Sequence, residues 1–444
     1  MVARVVIAAP GSGHGKTTVA TGLMAALRAR GTAVSGHKVG PDFIDPSYHA
    51  LATGTPPRNL DPFLQGEQRV VPLLLHGSRA AEIAVIEGVM GLFDGALGTE
   101  GYASTAHVAR LVDAPVVLVV DASAASRSVA ATVLGFARYD PRLELAGVIL
   151  NKLGSQRHED EIVSALEPTG IPVLGALRRS DDIHAPSRHL GLVPAAERAP
   201  ESRELLPKLA EWIAGGVDLD AVVRVARRAP ALSGAPWSPE GEHTGPRAVV
   251  AAAAGEAFTF RYTETAELLA AHGVDVVDVD PLRDKALPEG CAGLYFGGGF
   301  PEVHAEELSA NAPLREELGA ALRRGMPVVA ECAGLLYLCR ELDGLPMVGA
   351  LDATARMTRR GALGYRRATA TNDNVLAGTG QRVTGHEFHR TMVEPRSGDS
   401  AAWEWNGEPE GFASSTLHAS YLHVHWAGHP GLASRFAEAV HRGR

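Results

Sequence analysis

The sequence predicts an α/β protein of two domains, and three observations carry that prediction. Buried apolar strand patterns alternate with helical patterns along the first half, which is typical of a parallel, doubly wound sheet. A glycine-rich loop joins the first of those strands to a helix, as phosphate-binding loops do. In the second half a strand, a cysteine and a helix follow one another, which is the order of a nucleophile elbow.

Length and composition agree with a two-domain globular protein. The chain has 444 residues, of which 45% are hydrophobic and 21% charged, and this is too long for one ordinary domain. Residues 229–246 are rich in Pro, Gly and Ser, so we predict a linker there between domains at 1–228 and 247–444. The formal net charge of −9 argues against nucleic acid or an anionic membrane as the main partner.

The phosphate loop lies between an apolar strand, residues 5–9, and a helical pattern that follows at once. Its backbone N–H groups and the helix N-terminus would surround the phosphates of ATP, with Lys16 at the β- and γ-phosphates and the Thr17 hydroxyl on Mg²⁺. The usual spacing has glycine where this chain has Pro10. The predicted ATP-binding residues of the loop are Gly11, Gly13, Gly15, Lys16, Thr17 and Thr18.

Charged residues follow the second predicted strand, residues 33–37, at the edge where ligands of open α/β sheets bind. We predict that Lys38 and Asp42 contact substrate, that Asp45 is a second choice for a metal ligand, and that His49 is a further candidate. The alternative is a Pro-rich surface turn with solvated charges.

Two later strand ends add candidates. Glu87 follows a third strand, residues 83–86, and is our first choice for a Mg²⁺ ligand, because a carboxylate beside a phosphate loop suits that cation. Asp94 is predicted to face the acceptor substrate, although capping or plain solvation remains open for either acid. Asn151 closes a strand at 146–150 and would contact adenine, or else form a turn.

The second half carries a predicted nucleophile and base. Cys332 lies between a strand and a helix, and a thiol at a helix N-terminus is expected to have a lowered pKa. His423 and His425 alternate along a predicted strand, so they would share one face and offer the base. A strand that ends in three glycines would leave the N–H groups of Gly298 and Gly299 free for an oxyanion.

The remaining features place the protein in a reducing compartment. Only three cysteines occur, and we interpret Cys291 and Cys339 as structural. We find no leader pattern and no apolar run of membrane-spanning length, so we expect a cytoplasmic protein without a membrane partner.

Several stretches together resemble one family, the cobyrinate or hydrogenobyrinate a,c-diamide synthases, which are glutamine-dependent amidoligases of the cobalamin pathway. The resemblance covers nearly the full length. It implies a dethiobiotin-synthetase-like ATP-binding domain and a class I glutamine amidotransferase-like domain. The stretches that carry it are residues 38–46, 87–95, 296–302, 385–389 and 419–425.

The resemblance implies that Cys332 attacks glutamine, that His423 is base and acid, and that the released ammonia reacts with an acyl phosphate made from ATP. The substrates would be L-glutamine, ATP and a corrinoid acid, and the protein could form a homodimer. His425 stands where triad-type relatives carry an acid, which leaves a Cys–His pair as the safer prediction. Alternatives are a nickel-sirohydrochlorin acceptor, another corrinoid carboxylate, a regulatory or partitioning ATPase, or a binding module with an inactive amidotransferase domain.

Overall fold

The computed structural model describes residues 2–180, 187–188, 191–192 and 199–443. The chain divides into two compact units. The first comprises residues 1–62 and 66–238, and the second comprises residues 63–65 and 239–444. The division at Ser238 falls within the predicted linker, whereas the membership of residues 63–65 in the second unit has no counterpart in the sequence prediction.

The first unit is built from β-strands that alternate with helices. Its strands are β1 (Ala3–Ala8), β2 (Val34–Val39), β3 (Arg58–Leu60), β4 (Ile83–Glu87), β5 (Val116–Asp121), β6 (Leu145–Leu153), β7 (Val173–Arg178), β8 (Ser187–Arg188) and β9 (Gly191–Leu192). The helices in this part of the chain are α1 (Lys16–Ala29), α2 (Ile44–Thr53), α3 (Pro62–Gln65), α4 (Glu67–Gly77), α5 (Thr105–Leu111), α6 (Ser128–Tyr139), α7 (Gln156–Leu166), α8 (Ala199–Gly216) and α9 (Leu219–Arg227).

Seven parallel strands form the sheet of this unit in the order β3-β2-β4-β1-β5-β6-β7. The interior strand β4 is buried along its whole length, as expected of a parallel strand covered on both faces. Helix α1 packs Val19, Leu23 and Leu27 against the sheet in one apolar cluster. The predicted parallel α/β sheet is confirmed.

The register of this sheet places charged residues together. Glu87, the last residue of β4, lies opposite Ile7 of β1 and opposite Lys38 of β2. Lys38 therefore lies inside β2, where the sequence placed it just after the strand. Asn151 likewise lies inside β6 rather than at its end. In both cases the strand extends beyond its predicted end, and it includes polar residues that are buried.

The second unit carries two sheets. Its strands are β10 (Ala248–Ala253), β11 (Val274–Val279), β12 (Cys291–Phe296), β13 (Val328–Glu331), β14 (Glu341–Leu342), β15 (Leu345–Pro346), β16 (Thr354–Ala370), β17 (Arg382–Glu394), β18 (Trp403–Trp405), β19 (Glu408–Glu410), β20 (Phe412–Ala413), β21 (Leu417–Ser420) and β22 (His423–Val424). Its helices are α10 (Thr263–Ala271), α11 (Ala305–Ala310), α12 (Ala312–Arg323), α13 (Ala333–Leu338) and α14 (Gly431–Arg442).

One sheet of this unit has the order β11-β10-β12-β13-β21-β20, with only the β20–β21 pair antiparallel. Strands β13 and β21 are adjacent and parallel, and Glu331 lies opposite Ser420. The residues that follow these two strands therefore emerge at the same edge, and they include Cys332 and His423.

The other sheet is built on the long antiparallel pair β16–β17, to which β22 adds at one side. The predicted strand that was to carry both His423 and His425 is divided: β21 belongs to the first sheet, and β22 contains His423 but ends before His425. That prediction of a shared strand face is therefore wrong, although both histidines are buried. In the described ranges, no helix is both long and apolar enough to cross a bilayer.

Candidate functional site

The phosphate loop connects β1 to α1, and two of its glycines have positive φ angles. Gly13 has φ 83° and Gly15 has φ 89°, in the region that favours glycine. A Cβ atom on Gly15 would lie 2.3 Å from the Asn151 amide nitrogen, whereas one on Gly11 would meet nothing within 4 Å. The local backbone thus requires glycine at Gly13 and Gly15 and leaves Gly11 less constrained.

Lys16 and Thr17 begin helix α1, and their side chains contact different groups. The Lys16 ammonium donates to the carbonyl oxygens of Met90 at 2.6 Å and Gly11 at 3.3 Å, so it is held against the loop where phosphate would lie. Burial, followed by the nearby Lys38 charge, lowers the pKa of Lys16. The Thr17 hydroxyl lies 2.5 Å from Oε1 of Glu87 and 3.1 Å from Oδ2 of Asp45.

Lys38 joins the two carboxylates. Its Nζ atom donates to Oδ2 of Asp45 at 2.6 Å, to Oε1 of Glu87 at 2.9 Å and to the Gly88 carbonyl at 3.1 Å. All three charged side chains are at most 11% exposed. A surface turn with solvated charges is therefore excluded for this stretch.

The charges of this cluster perturb one another. Burial alone would raise the pKa of Glu87, but Lys38, with hydrogen bonds from His49 and Thr17, lowers it. Burial would lower the pKa of Lys38, but Asp45 and Glu87 raise it. Burial and the neighbouring Asp42 raise the pKa of Asp45 well above its usual range. The single ammonium group of Lys38 is shared by Asp42, Asp45 and Glu87, so the cluster contains more carboxyl groups than ammonium groups.

His49 and Asp42 complete the cluster from α2 and the turn before it. Nε2 of His49 lies 2.6 Å from Oε2 of Glu87. Asp42 accepts from the Ile44 and Asp45 N–H groups at 2.7 and 3.1 Å, so it holds the first turn of α2, and it lies 3.9 Å from the Lys38 ammonium. Capping thus accounts for one oxygen of Asp42.

Asp94 and Asn151 are engaged with backbone. Oδ2 of Asp94 accepts from the Gly91 N–H at 3.0 Å, which fixes the turn after β4. The Asn151 amide donates to the His14 carbonyl at 2.9 Å, and the neighbouring Lys152 donates to the Gly13 carbonyl at 2.9 Å. Both residues of β6 therefore support the phosphate loop, a contact that the sequence did not predict.

The donor set of this cluster fits Mg²⁺. The carboxylates of Asp45 and Glu87 lie 3.1 and 2.5 Å from the Thr17 hydroxyl, beside the phosphate loop. Within the described ranges, no three His, Cys, Asp or Glu side chains form a complete metal cage. An incomplete oxygen set suits Mg²⁺, which keeps waters and takes phosphate oxygens as its other ligands.

In the second unit, Cys332 occupies a strained turn. It links β13 to α13 with φ 49° and ψ −97°, and its N–H donates to the Ser420 carbonyl at 2.8 Å. A non-glycine residue rarely adopts a positive φ, and such outliers concentrate at functional sites. The predicted nucleophile elbow is therefore present in the backbone.

The expected lowering of the Cys332 pKa is wrong. Burial, then the negative charge of Glu302, raises the pKa of this thiol, and the charges of Glu331 and Glu387 act in the same direction. Helix α13 has only six residues, so its N-terminus contributes little opposing charge. The resting thiol is neutral, and a base has to remove its proton during attack.

His423 lies at the same edge as Cys332. Its ring stacks on His386 at 4.9 Å, and its Nδ1 atom lies 3.8 Å from Oε2 of Glu331. A Cβ atom on Gly298 would lie 2.4 Å from Cε1 of His423, so only glycine permits this approach. The structure thus brings His423 and the glycine run to the edge that carries Cys332.

The glycine run supplies fewer free donors than expected. The N–H of Gly298 donates to the Phe260 carbonyl at 3.0 Å and is already in use. Gly299 has φ 159°, and a Cβ atom there would lie 2.1 Å from the Ala257 carbonyl oxygen. The N–H of Ala333 hydrogen-bonds the Cys332 sulfur. The N–H of Gly298 is therefore not free for an oxyanion, and Gly298 packs against the ring of His423.

One polar group near Cys332 was missed by the sequence analysis. The Phe388 carbonyl lies 4.0 Å from the Cys332 sulfur. The preceding residue, Glu387, accepts from Nε of Arg366 at 2.6 Å and lies 3.5 Å from Nε2 of His389. These residues belong to β16 and β17, and only the motif at 385–389 hinted at them.

Cys291 and Cys339 are not part of either site. Cys339 is fully buried at the end of α13 and donates to the Leu335 carbonyl. Cys291 begins β12, and its thiol donates to the Gly293 carbonyl. All three cysteines are free.

The two halves of the chain match two domain families. Residues 5–193 match the CobQ/CobB/MinD/ParA nucleotide binding domain, and residues 249–431 match the CobB/CobQ-like glutamine amidotransferase domain. The predicted combination of a nucleotide-binding and an amidotransferase domain is confirmed. A regulatory ATPase would leave the second domain without a role.

Whole-length relatives agree with the domain matches. Proteins named hydrogenobyrinate a,c-diamide synthase from Thermobifida fusca and Streptomyces coelicolor are 59% and 55% identical, each over 98% of this chain and over 96% and 97% of their own lengths. A protein named cobyrinate a,c-diamide synthase from Synechococcus is 42% identical over 98% of this chain and 97% of its own. The chain belongs to the family of the hydrogenobyrinate and cobyrinate a,c-diamide synthases.

Proposed function

We propose that this protein amidates the a- and c-acetate carboxylates of hydrogenobyrinic or cobyrinic acid, using ATP and ammonia from glutamine. One observation carries the proposal: a single chain holds a phosphate loop with paired carboxylates and a strained cysteine elbow with a histidine at the same edge. The first supports activation of a carboxylate, and the second supports release of ammonia from an amide.

Relatives at different distances support a preference for the metal-free acid. Five relatives at 49% identity or more are named for hydrogenobyrinate, and three at 40% to 44% are named for cobyrinate. We therefore propose hydrogenobyrinic acid as the better acceptor. Nickel-sirohydrochlorin or another corrinoid carboxylate is the alternative acceptor.

In the second unit, the thiol of Cys332 attacks the side-chain amide of glutamine. Its proton passes to His423 as the carbon–sulfur bond forms, and then to the leaving nitrogen as the carbon–nitrogen bond breaks. The products of this step are ammonia and a glutamyl thioester, which water hydrolyses with His423 as base. The N–H groups of Gly299 and Ala333 would stabilise the negative oxygen.

In the first unit, a carboxylate oxygen of the acceptor attacks the γ-phosphorus of ATP, and ADP leaves. Ammonia then attacks the acyl carbon, and phosphate leaves. The glycine-rich loop and Lys16 would hold the phosphates, and Lys38, Asp42 and Asp94 would contact the acceptor. Asp45, Glu87 and Thr17 would hold Mg²⁺, which when bound neutralises charge on the β- and γ-phosphate oxygens.

The test is mass spectrometry of the tetrapyrrole after incubation with ATP, Mg²⁺, glutamine and either acid. Two successive amidations that depend on ATP are expected, with hydrogenobyrinic acid consumed faster. No amidation of either acid, with ATP still hydrolysed, would direct the search to nickel-sirohydrochlorin. The three free cysteines support a cytoplasmic setting, and a homodimer remains a prediction for analytical ultracentrifugation.

A further inference from the structure

Two buried carboxylates lie next to two histidines in the second unit. Oε2 of Glu331 lies 3.8 Å from Nδ1 of His423, and Oε2 of Glu264 lies 3.6 Å from Nε2 of His425. All four side chains are at most 4% exposed. His425, two residues after the predicted base His423, therefore lies beside the carboxylate of Glu264. His423 lies beside a different carboxylate, that of Glu331.

Glu331 reaches His423 because of the sheet register. It is the last residue of β13 and lies opposite Ser420 of the parallel neighbour β21. Cys332 follows Glu331, and His423 begins β22 three residues after Ser420. The predicted nucleophile and the acid thus lie at the end of β13, and His423 lies three residues after the end of the adjacent strand β21.

Glu331 is incompletely satisfied by its surroundings. Its Oε2 atom accepts from the Tyr295 hydroxyl at 3.3 Å, a long hydrogen bond. Its Oε1 atom accepts no hydrogen bond from the described part of the chain. A buried carboxylate with so few donors costs folding free energy, and such groups persist mainly where they serve a function.

We propose that Glu331 is the positioning acid of His423, so that the amidotransferase centre is a Cys332–His423–Glu331 triad. This inference rests on the proposed glutamine hydrolysis. The carboxylate faces Nδ1 of His423, which leaves Nε2 to take the Cys332 proton. The Glu331 carboxylate stabilises the imidazolium that forms when the thiol loses its proton.

The second ring beside His423 does not supply that charge. His386 stacks on His423 from β17, and burial, with the charges of His423 and His425, keeps the pKa of His386 well below its usual value. The Tyr262 hydroxyl lies 3.1 Å from Nε2 of His386. Among these neighbours, Glu331 is the negative group that faces His423.

The test compares Glu331→Gln with Glu264→Gln, a matched change in a carboxylate that lies equally buried beside the other histidine. For E331Q we expect glutamine-driven kcat to fall about 10²-fold, the lower end of the range for assisted proton transfer. KM for glutamine and the ammonia-driven rate should stay near wild type. A loss confined to glutamine-driven kcat, at an unchanged KM for glutamine, is the split that a merely structural role would not produce.

Three outcomes overturn the proposal. One is a kcat of E331Q within twofold of wild type, and another is a rise of KM for glutamine that accounts for the whole loss of kcat/KM. The third is an equal loss of kcat in E264Q, which would show a general effect of buried charge. If E331Q loses ammonia-driven activity through misfolding, Glu331→Asp decides: its shorter side chain keeps the carboxylate but moves it away from His423, so glutamine-driven kcat should fall while KM and the ammonia-driven rate stay near wild type. A wild-type kcat in E331D would equally overturn the proposal.

Failure of the proposed function looks different. A wild-type protein that hydrolyses no glutamine and amidates no tetrapyrrole would remove the function itself. A wild type that is active in both assays, with an indifferent E331Q, would remove only the role of Glu331.

Discussion

The charged cluster around Lys38 and the centre around Cys332 solve different electrostatic problems. In the first, the Lys38 ammonium lies within 3 Å of Asp45 and Glu87, so opposite groups are paired before any substrate arrives. In the second, burial and nearby carboxylates keep the Cys332 thiol neutral, and charge has to be created during the reaction. Phosphoryl transfer requires fixed charges that orient a polyanion, whereas thiol attack requires a proton acceptor at the right moment.

The difference between the two regions can be tested most directly at the predicted nucleophile. Cys332→Ala should reduce glutamine-driven amidation at least about 10³-fold, because removal of a nucleophile leaves only residual catalysis. Ammonia-driven amidation should be unchanged, since the cluster around Lys38 needs no thiol. The measurement is the amidation rate with glutamine and with ammonium chloride in parallel. Retained glutamine-driven activity would remove Cys332 from the mechanism.

A change in the other region should affect both nitrogen sources. Glu87→Gln removes the charge that Lys38 and His49 contact and leaves Lys38 buried with one fewer acid. We expect both amidation rates to fall about 10²- to 10³-fold, as for loss of one preorganised electrostatic group. Glutamine hydrolysis without acceptor should persist.

The matched control for Glu87 is Glu82→Gln, at the residue just before the start of β4. The Glu82 carboxylate accepts an exposed hydrogen bond from the Ala33 N–H, so its loss should leave both rates unchanged. Equal effects of the two substitutions would assign Glu87 to the stability of β4 rather than to the reaction.

These two regions also differ in how far the sequence predicted them. The glycine loop and the cysteine elbow follow from local chain chemistry, because positive φ angles and strand-to-helix turns leave a signature in a few adjacent residues. The ion pairs of Lys38 with Asp45 and Glu87 were not predicted, since the sequence does not show that β2 extends to Val39.

Non-local effects account for the errors in the second unit. The thiol pKa depends on burial and on Glu302 and Glu387, which are distant in sequence, and not on the short helix that follows Cys332. The hairpin β16–β17 brings Arg366 to Glu387, but its charged, half-exposed residues hide the strand alternation. The predicted histidine strand is divided because β21 pairs with β13 in one sheet and β22 pairs with β17 in the other. No local sequence pattern encodes these pairings.

A third prediction concerns stability near the Cys332 centre. Burial raises the pKa of Glu410 to about 7, although Ser420 and the Tyr421 N–H hydrogen-bond its carboxylate. The folded state therefore binds this proton more tightly than the unfolded state, in which the carboxyl has its ordinary pKa of 4.5. The contribution of Glu410 to stability is fully present at low pH and is lost as pH rises from about 4.5 to about 7.

Glu410→Gln isolates that contribution. Relative to wild type, the variant should gain up to about 3 kcal/mol of unfolding free energy at pH 8, and the gain should shrink at pH 5. Urea unfolding at the two pH values measures the difference, and other titrating groups cancel in the comparison. A difference that does not change with pH would show that Glu410 is ionised in the folded protein throughout this range.

The smallest effect concerns the phosphate loop itself, where two glycines differ in what they require. Gly15 has φ 89° and a substituent there would lie 2.3 Å from the Asn151 amide, while Gly11 has open space. Gly15→Ala should therefore cost about 1–3 kcal/mol of unfolding free energy through backbone strain and the displaced amide, and Gly11→Ala should cost less than about 1 kcal/mol. Denaturant unfolding of both variants measures this. Because Asn151 donates to the His14 carbonyl, displacement of Asn151 should also raise KM for ATP in G15A. The same rise in G11A would show that nucleotide binding, rather than the resting conformation of the loop, requires glycine at both positions.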